Sequence, residues 1–239
     1  MPAADSSLSS GEIISTPAAK PRGVVSTPLG VVSTPLGVET IIFDLGRVLI
    51  DFDHRIAAKR IAEFADKNEE EILGLFFDSE VTMSFEAGKL SPRQFFLEVK
   101  KMLNLRLDYD AFVPIWQEIF FFSEKNRQVY SLALRLKERY RVALLSNINA
   151  LHFDYIKRAF PVFGAFHNII TSFELGYIKP DPLIYQKTLE ILGSAPARTF
   201  YTDDREELIA SARGLGIQGF LFAGVEQLKK DLLASGVKI

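Results

Sequence analysis

The sequence predicts an α/β fold carrying an all-helical insertion. Three observations predict it. Short apolar runs of strand length recur along the chain, and helical stretches separate the later ones. About a hundred residues with only helical patterning lie between the first run and the second. Each of the first four runs ends in, or just before, residues that carry chemistry.

Taken in order, residues Met1–Val38 read as a disordered tail rich in Ser, Thr, Pro, Ala and Gly. It holds a tandem repeat, Val24-Val25-Ser26-Thr27-Pro28-Leu29-Gly30 followed by Val31-Val32-Ser33-Thr34-Pro35-Leu36-Gly37. Two short copies, each with a turn-forming Pro and Gly, are too few for a solenoid. A docking segment or targeting peptide is the alternative. Lys20 and Arg22 are its only basic residues, which argues against an Arg-rich transit peptide.

Thr40–Leu45 is the first strand candidate, an apolar run of the kind buried on both faces of a parallel sheet. Helical stretches follow at His54–Lys67, Glu69–Phe77, Pro92–Leu103 and Asp110–Phe120, with Ser91-Pro92 as a helix start. Trp116, Phe95, Phe96 and the Phe120-Phe121-Phe122 run are expected to fill the core of this insert or its contact with the sheet. The remaining strand candidates are Val142–Ser146, Asn168–Thr171, Thr199–Thr202 and Gly216–Phe222. Helices are expected at Lys125–Arg139, Pro182–Leu192 after a capping Asp181, Arg205–Arg213 closed by Gly214, and Val225–Ala234. Their lengths suit right-handed crossovers. The expected organisation is a tail at 1–38, a core domain from 39–50 and 123–239, and a helical cap at 51–122.

Bulk properties narrow the function. The chain has 239 residues, 48% hydrophobic and 24% charged, as in a folded soluble protein. A net charge of −2 offers no basic field for nucleic acid or anionic lipid. Cysteine is absent, which removes disulfides, thiolate catalysis and Cys-ligated metals and fits a cytoplasmic location. No apolar run approaches the roughly 20 residues needed to span a bilayer, and no secretory signal is read.

Four chemical features fall at strand ends or after them. Asp44 closes the first strand, and Ser146-Asn147 the second. Lys179 lies between the third strand and its helix, and Asp203-Asp204 close the fourth. A buried charge needs a partner or a metal, and the carboxyl ends of parallel strands are where α/β sheets bind ligands. Singly, each has a plainer reading: a turn Asp, a helix cap, a solvated lysine. Together they suit a phosphate dianion held with Mg²⁺, which takes carboxylate oxygens and a substrate phosphate as co-ligands. An Asp can attack phosphorus to form an aspartyl phosphate.

In this order the motifs resemble those of the haloacid dehalogenase (HAD) superfamily, in its phosphatase-like branch with a helical cap after the first strand. Phe43–Leu49, Leu144–Asn149, Gly176–Tyr185 and Phe200–Arg205 resemble its four motifs, and Phe85–Ser91 resembles a cap segment of this branch. The Asp-Leu-Gly start and Ser146–His152 are most similar to bacterial α-D-glucose-1-phosphate phosphatases. The resemblance implies a Rossmann-like parallel five-stranded core sheet flanked by helices, with the strands of motifs I and IV adjacent. It implies Asp44 as nucleophile and Lys179 as the neutralising cation. Ser146 and the Asn147 amide would hold phosphate oxygens. Asp44, the Gly46 carbonyl and Asp203 or Asp204 would ligate Mg²⁺.

The expected activity is hydrolysis of a small phosphorylated metabolite, a sugar phosphate such as an aldose 1-phosphate being favoured, with no nucleic-acid or membrane partner. Gly46 departs from the pattern, since most phosphatases of the superfamily carry a second Asp there as general acid and base. Such an acid is typically worth ~10²–10⁴-fold, most with a poor leaving group. Asp51, Asp53 or a cap residue is the alternative proton source. Leu208 also departs, standing where relatives often have Asn. Arg47 is a candidate for substrate phosphate or hydroxyls, or for an ion pair with Asp51 or Asp53. His152 is expected to cap or pack, and Arg205 to fix the acidic pair or the loop. A metal-independent 2-haloacid dehalogenase and a non-catalytic binding protein of the same fold are the competing functions.

Overall fold

A single parallel sheet organises the chain in the computed structural model, which describes residues 37–77 and 79–239. Its strands are β1 (Thr40–Phe43), β4 (Arg141–Ser146), β5 (Asn168–Thr171), β6 (Thr199–Asp203) and β7 (Gln218–Leu221), in the order β5-β4-β1-β6-β7. β1 is central: Phe43 aligns with Leu144 on one side and Thr202 on the other. Successive strands run outward from β1 to β5, and the chain then crosses to β6 on the other side. This reversal beside β1 opens the ligand crevice of such sheets.

Both faces of the sheet are buried, which explains the unbroken apolar runs. Ile41, Phe43, Val142, Leu144 and Phe200 pack with α6 (Glu124–Lys137) and α11 (Val225–Ala234). The alternate residues Ile42, Ala143, Leu145 and Tyr201 pack with α9 (Pro182–Leu192) and α10 (Glu206–Gly214). Val38, assigned to the tail from sequence, is buried in the first of these clusters. The tandem repeat lies outside the described residues, apart from its final Gly37.

Between β1 and β4 the chain forms a helical cap with its own core. A two-residue ribbon joins it to the sheet: β2 (Asp51–Phe52) pairs antiparallel with β3 (Phe120–Phe121). The cap helices are α1 (His54–Ala62), α2 (Glu69–Phe77), α3 (Glu80–Glu86), α4 (Pro92–Leu103) and α5 (Tyr109–Gln117). Phe95 stacks on Phe85 at 4.3 Å and meets Trp116 edge-on at 4.7 Å. The last elements are α7 (Ala150–Ala159), capped by Asn149, and the short α8 (Ser172–Leu175).

Several boundaries differ from those expected. α1 stops at Ala62 rather than Lys67, because the following residues bond to the end of α4 and the segment after it: Asp66 N donates to the Leu103 carbonyl at 3.1 Å, Arg106 N donates to the Phe64 carbonyl, and Asp66 pairs with Arg106 at 2.8 Å. The last cap helix ends at Gln117, and Phe120–Phe121 form the ribbon; Phe120, partly buried, packs against both the cap core and the sheet-side core, as Phe122 does against the latter, whereas Phe121 is exposed. α3 had no sequence expectation, since Val81, Thr82 and Ser84 are poor helix formers, and the packing of Phe85 holds it. Gly214 is the last residue of α10, and the left-handed turn falls at Gly216, φ +83°, shortening the final strand to Gln218–Leu221.

Candidate active site

The carboxyl ends of β1, β4 and β6 and the underside of the cap enclose a cavity of about 650 Å³. Asp44, Gly46, Arg47, Ser146, Asn147, Lys179, Asp203 and Asp204, the candidates from sequence, all line it. Asp44 follows β1, its backbone N–H donating to Thr202 O at 2.9 Å in continuation of the β1–β6 ladder. That places its carboxylate beside Asp203.

Lys179 joins the two. Its Nζ donates to Asp44 Oδ1 at 2.7 Å and Asp203 Oδ2 at 2.6 Å, and to the Leu145 carbonyl and Tyr201 hydroxyl, each at 3.2 Å. The lysine is 3% exposed, so each of these partners offsets a desolvation that water cannot. Asn147 fixes the loop that delivers it: its Nδ2 donates to Lys179 O at 2.9 Å, and its Oδ1 accepts from Lys179 N at 2.8 Å. Ser146, at the end of β4, is buried on the cavity wall. Tyr201 donates to Asp203, and the backbone N–H of Arg205 donates to the other Asp203 oxygen at 3.1 Å.

Asp44, Asp203 and Asp204 bring carboxylate oxygens within 4.8 Å of one another. Burial pushes the Asp44 pKa up to about 7, Lys179 opposes this, and Asp203 and Asp204 add to it. Burial, then Asp203, raises Asp204 as well. At Asp203 burial is outweighed by Lys179 and Tyr201, so its pKa lies below the usual value. One ammonium faces three carboxylates, an imbalance that a divalent cation fits.

Gly46 sits in a tight loop closed by Arg47 N donating to Ile50 O at 2.6 Å. A Cβ at Gly46 would stand 3.0 Å from Phe52 Cε1. The Phe52 ring thus crowds the place of the acid missing from motif I. Arg47, at φ +57°, lays its guanidinium 5.3 Å from the centroid of that ring. The expected Arg47 ion pairs do not form: Asp51 pairs with Lys125 at 2.7 Å, and Asp53 caps α1. Leu208 is buried on the cavity wall, and its carbonyl accepts from Tyr185.

His152 is held by Asn149 and the Trp116 carbonyl and stacks on Trp116, a packing role, although it reaches the cavity lining. The guanidinium of Arg205 pairs with Glu207. Sequence reasoning missed Tyr201, Glu86 and His54. Tyr201 was legible as the residue two before Asp203 on the same face of a strand. Burial first, then Arg47, lowers the His54 pKa to about 4, so it is neutral near pH 7.

Comparison with known families matches the haloacid dehalogenase-like hydrolases over residues 38–216. The chain is 24% identical to a D-ribitol-5-phosphate phosphatase of Bacteroides thetaiotaomicron, over 76% of this chain and 90% of that protein. It is 24% identical to the sesquiterpene phosphatase astK of Aspergillus oryzae, over 74% and 86%. Among solved structures it resembles a HAD family enzyme of B. thetaiotaomicron in complex with magnesium and inorganic phosphate. That match has a TM-score of 0.68 and 27% identity, over 77% of this chain and 94% of that one.

Proposed function

The chain belongs to the haloacid dehalogenase-like hydrolase family, and from that premise we propose that it is a Mg²⁺-dependent phosphatase of a small phosphorylated metabolite. The observation that carries this reading is Lys179 bridging Asp44 and Asp203 in a cavity that also holds Asp204. A metal-independent dehalogenase has no need of that acidic pair. The relatives named for ribitol 5-phosphate and for a sesquiterpene phosphate differ in their alcohols and share the phosphoryl group.

Asp44 attacks phosphorus in line, the bond to the leaving oxygen breaks, and water then hydrolyses the aspartyl phosphate. Lys179 orients the Asp44 carboxylate and offsets charge on the transferring group. Ser146 and the Asn147 amide hold phosphoryl oxygens, and Arg47 is placed to reach phosphate or hydroxyls from the cavity rim. Asp44, the Gly46 carbonyl, Asp203 and Asp204 would hold Mg²⁺. The ion supplies charge neutralisation of the phosphoryl group.

Where no other group supplies the proton, Gly46 favours a leaving oxygen that is already acidic, as at the anomeric carbon of an aldose 1-phosphate. The test is phosphate release from sugar phosphates, nucleotides, acyl phosphates and alkyl phosphates, with Mg²⁺ and with chelator. Release that needs Mg²⁺ and disappears in Asp44→Asn supports the reading. Chelator-insensitive chloride release from a 2-haloacid overturns it.

A further inference from the structure

We infer that Glu86, at the end of α3 in the cap, is the acid that protonates the leaving oxygen in place of the carboxyl group missing at Gly46. The inference rests on the phosphatase reading above. Four carboxyl groups line the cavity among the described residues: Asp44, Asp203, Asp204 and Glu86. The first three form the cluster around Lys179 and the candidate metal site. Glu86 stands apart from them and comes from the cap, the side on which the alcohol must lie once phosphorus faces Asp44.

Its backbone is pinned to the sheet domain. The Ser172 hydroxyl donates to Glu86 O at 2.6 Å and accepts from Ile148 N at 3.0 Å. Glu86 is thereby tied to the same loop as Ser146 and Asn147. Two residues on, Gly88 lies so close to the Phe173 carbonyl that a Cβ would come within 2.1 Å of that oxygen. A docked cap therefore sets Glu86 at a fixed place on the cavity wall.

The surroundings favour its protonated form. No ion pair holds the Glu86 carboxylate among the described residues, and the nearby Arg205 guanidinium is engaged by Glu207. Burial pushes its pKa up to about 7, outweighing Arg205 and Lys179, which suits a group that gives and retakes a proton near neutrality. The other candidate donors are occupied or unsuited. Asp51 is held by Lys125 and the Ser123 hydroxyl, and Asp53 caps α1. Burial lowers His54 to about 4 and His152 to about 3, so neither is a cation at neutral pH.

In the first step Asp44 Oδ forms a bond to phosphorus and the P–O bond to the alcohol breaks. The released electron pair takes the Glu86 proton, leaving a neutral alcohol and a Glu86 carboxylate. In the second step water attacks phosphorus, gives its proton to Glu86, and frees phosphate and the Asp44 carboxylate.

The test is kcat/KM of the full chain with Mg²⁺ for phosphate esters ranging from alkyl to nitrophenyl. Glu86→Gln is expected to lose about 10²–10³-fold on alkyl esters and less than about 10-fold on nitrophenyl phosphate. Gly46→Asp added to Glu86→Gln is expected to recover part of the alkyl activity. Equal losses on both ester classes, or none, overturn the inference. The wild type needs no variant: proton delivery gives a shallow dependence of kcat/KM on leaving-group acidity, and a steep one counts against Glu86. Wild-type release that survives Asp44→Asn, or no release from any ester, overturns the phosphatase reading itself and Glu86 with it.

Discussion

The sheet edge and the cap face each other across one cavity and hold their polar groups in opposite ways. On the sheet side, Asp44, Lys179 and Asp203 are in direct contact, and further bonds from Leu145, Tyr201 and the backbone of Arg205 hold them. On the cap side, Glu86 makes no such pair, and its placement depends on two backbone contacts with the sheet domain, at Ser172 and beside Gly88. One side is a cluster of charges that a divalent cation fits. The other is a half-buried acid with no ion pair among the described residues, on a wall of the same cavity as Phe52 and Phe120. On the proposed reading the difference is a division of labour: the sheet would transfer the phosphoryl group, and the cap would serve the alcohol.

The largest expected effect breaks the sheet side. Asp44→Asn is expected to cut turnover on the order of 10⁴-fold or more, since removing a nucleophile costs about as much as removing its whole supporting constellation. Steady-state phosphate release checks it, with circular dichroism confirming an intact fold. Next comes Lys179→Met, which leaves buried carboxylates unpaired. Without divalent cation it is expected to cost about 3–5 kcal/mol in urea unfolding, and clearly less with Mg²⁺ present. An equal loss in both conditions would separate the lysine from the metal site.

A third prediction uses pH. In the cation-free protein the folded pKa of Asp44, about 7, lies above its unfolded value near 3.8. The folded state therefore holds the extra proton between those values, and this group's contribution to stability falls as pH rises through that window. A cation at the carboxylates competes with that proton. The Mg²⁺-induced gain in unfolding free energy is expected to be larger at about pH 8 than at about pH 5.5, approaching about 2.7 kcal/mol at a hundredfold excess over Kd. A gain that is flat or reversed with pH would remove Asp44 from the metal site.

Smaller effects test the cap side. Gly88→Ala forces a Cβ against the Phe173 carbonyl at φ +67° and is expected to cost about 1–3 kcal/mol of stability. Because it unseats Glu86, its loss of kcat/KM is expected to be greater on alkyl than on nitrophenyl esters. Gly46→Asp alone is expected to give the smallest change, a modest gain confined to alkyl esters. The Phe52 ring must shift a few tenths of an ångström to admit the new side chain, and His54, Phe120 and Arg47 all pack on that ring.

The same contrast decides what was legible in the sequence. The sheet side was readable because each of its groups sits at the end of an apolar run, so local pattern and chemistry coincide at Asp44, Ser146 and Asp203. Lys179 was readable from its place before Pro180-Asp181-Pro182 at a helix start. The cap side was not. Glu86 lies in a segment, Phe85–Ser91, legible as cap but not as a site residue, Phe120 reads as the end of a helix until the ribbon pairs it with Phe52, and the position of Arg47 depends on a ring five residues away. These depend on tertiary contacts, which hydrophobic periodicity does not encode. Gly46 was readable as a missing acid, but not as a residue whose side-chain space Phe52 crowds.

The central claim is that Asp44 carries the phosphoryl group. Its most direct test is an acid-quenched single turnover with Mg²⁺ and a reactive phosphate ester, followed by mass spectrometry of the peptide containing residue 44. The account predicts a transient phosphoryl adduct on Asp44 that forms and decays with turnover and is absent when Mg²⁺ is withheld. Phosphate release at full rate with no adduct on that peptide at any time would contradict it.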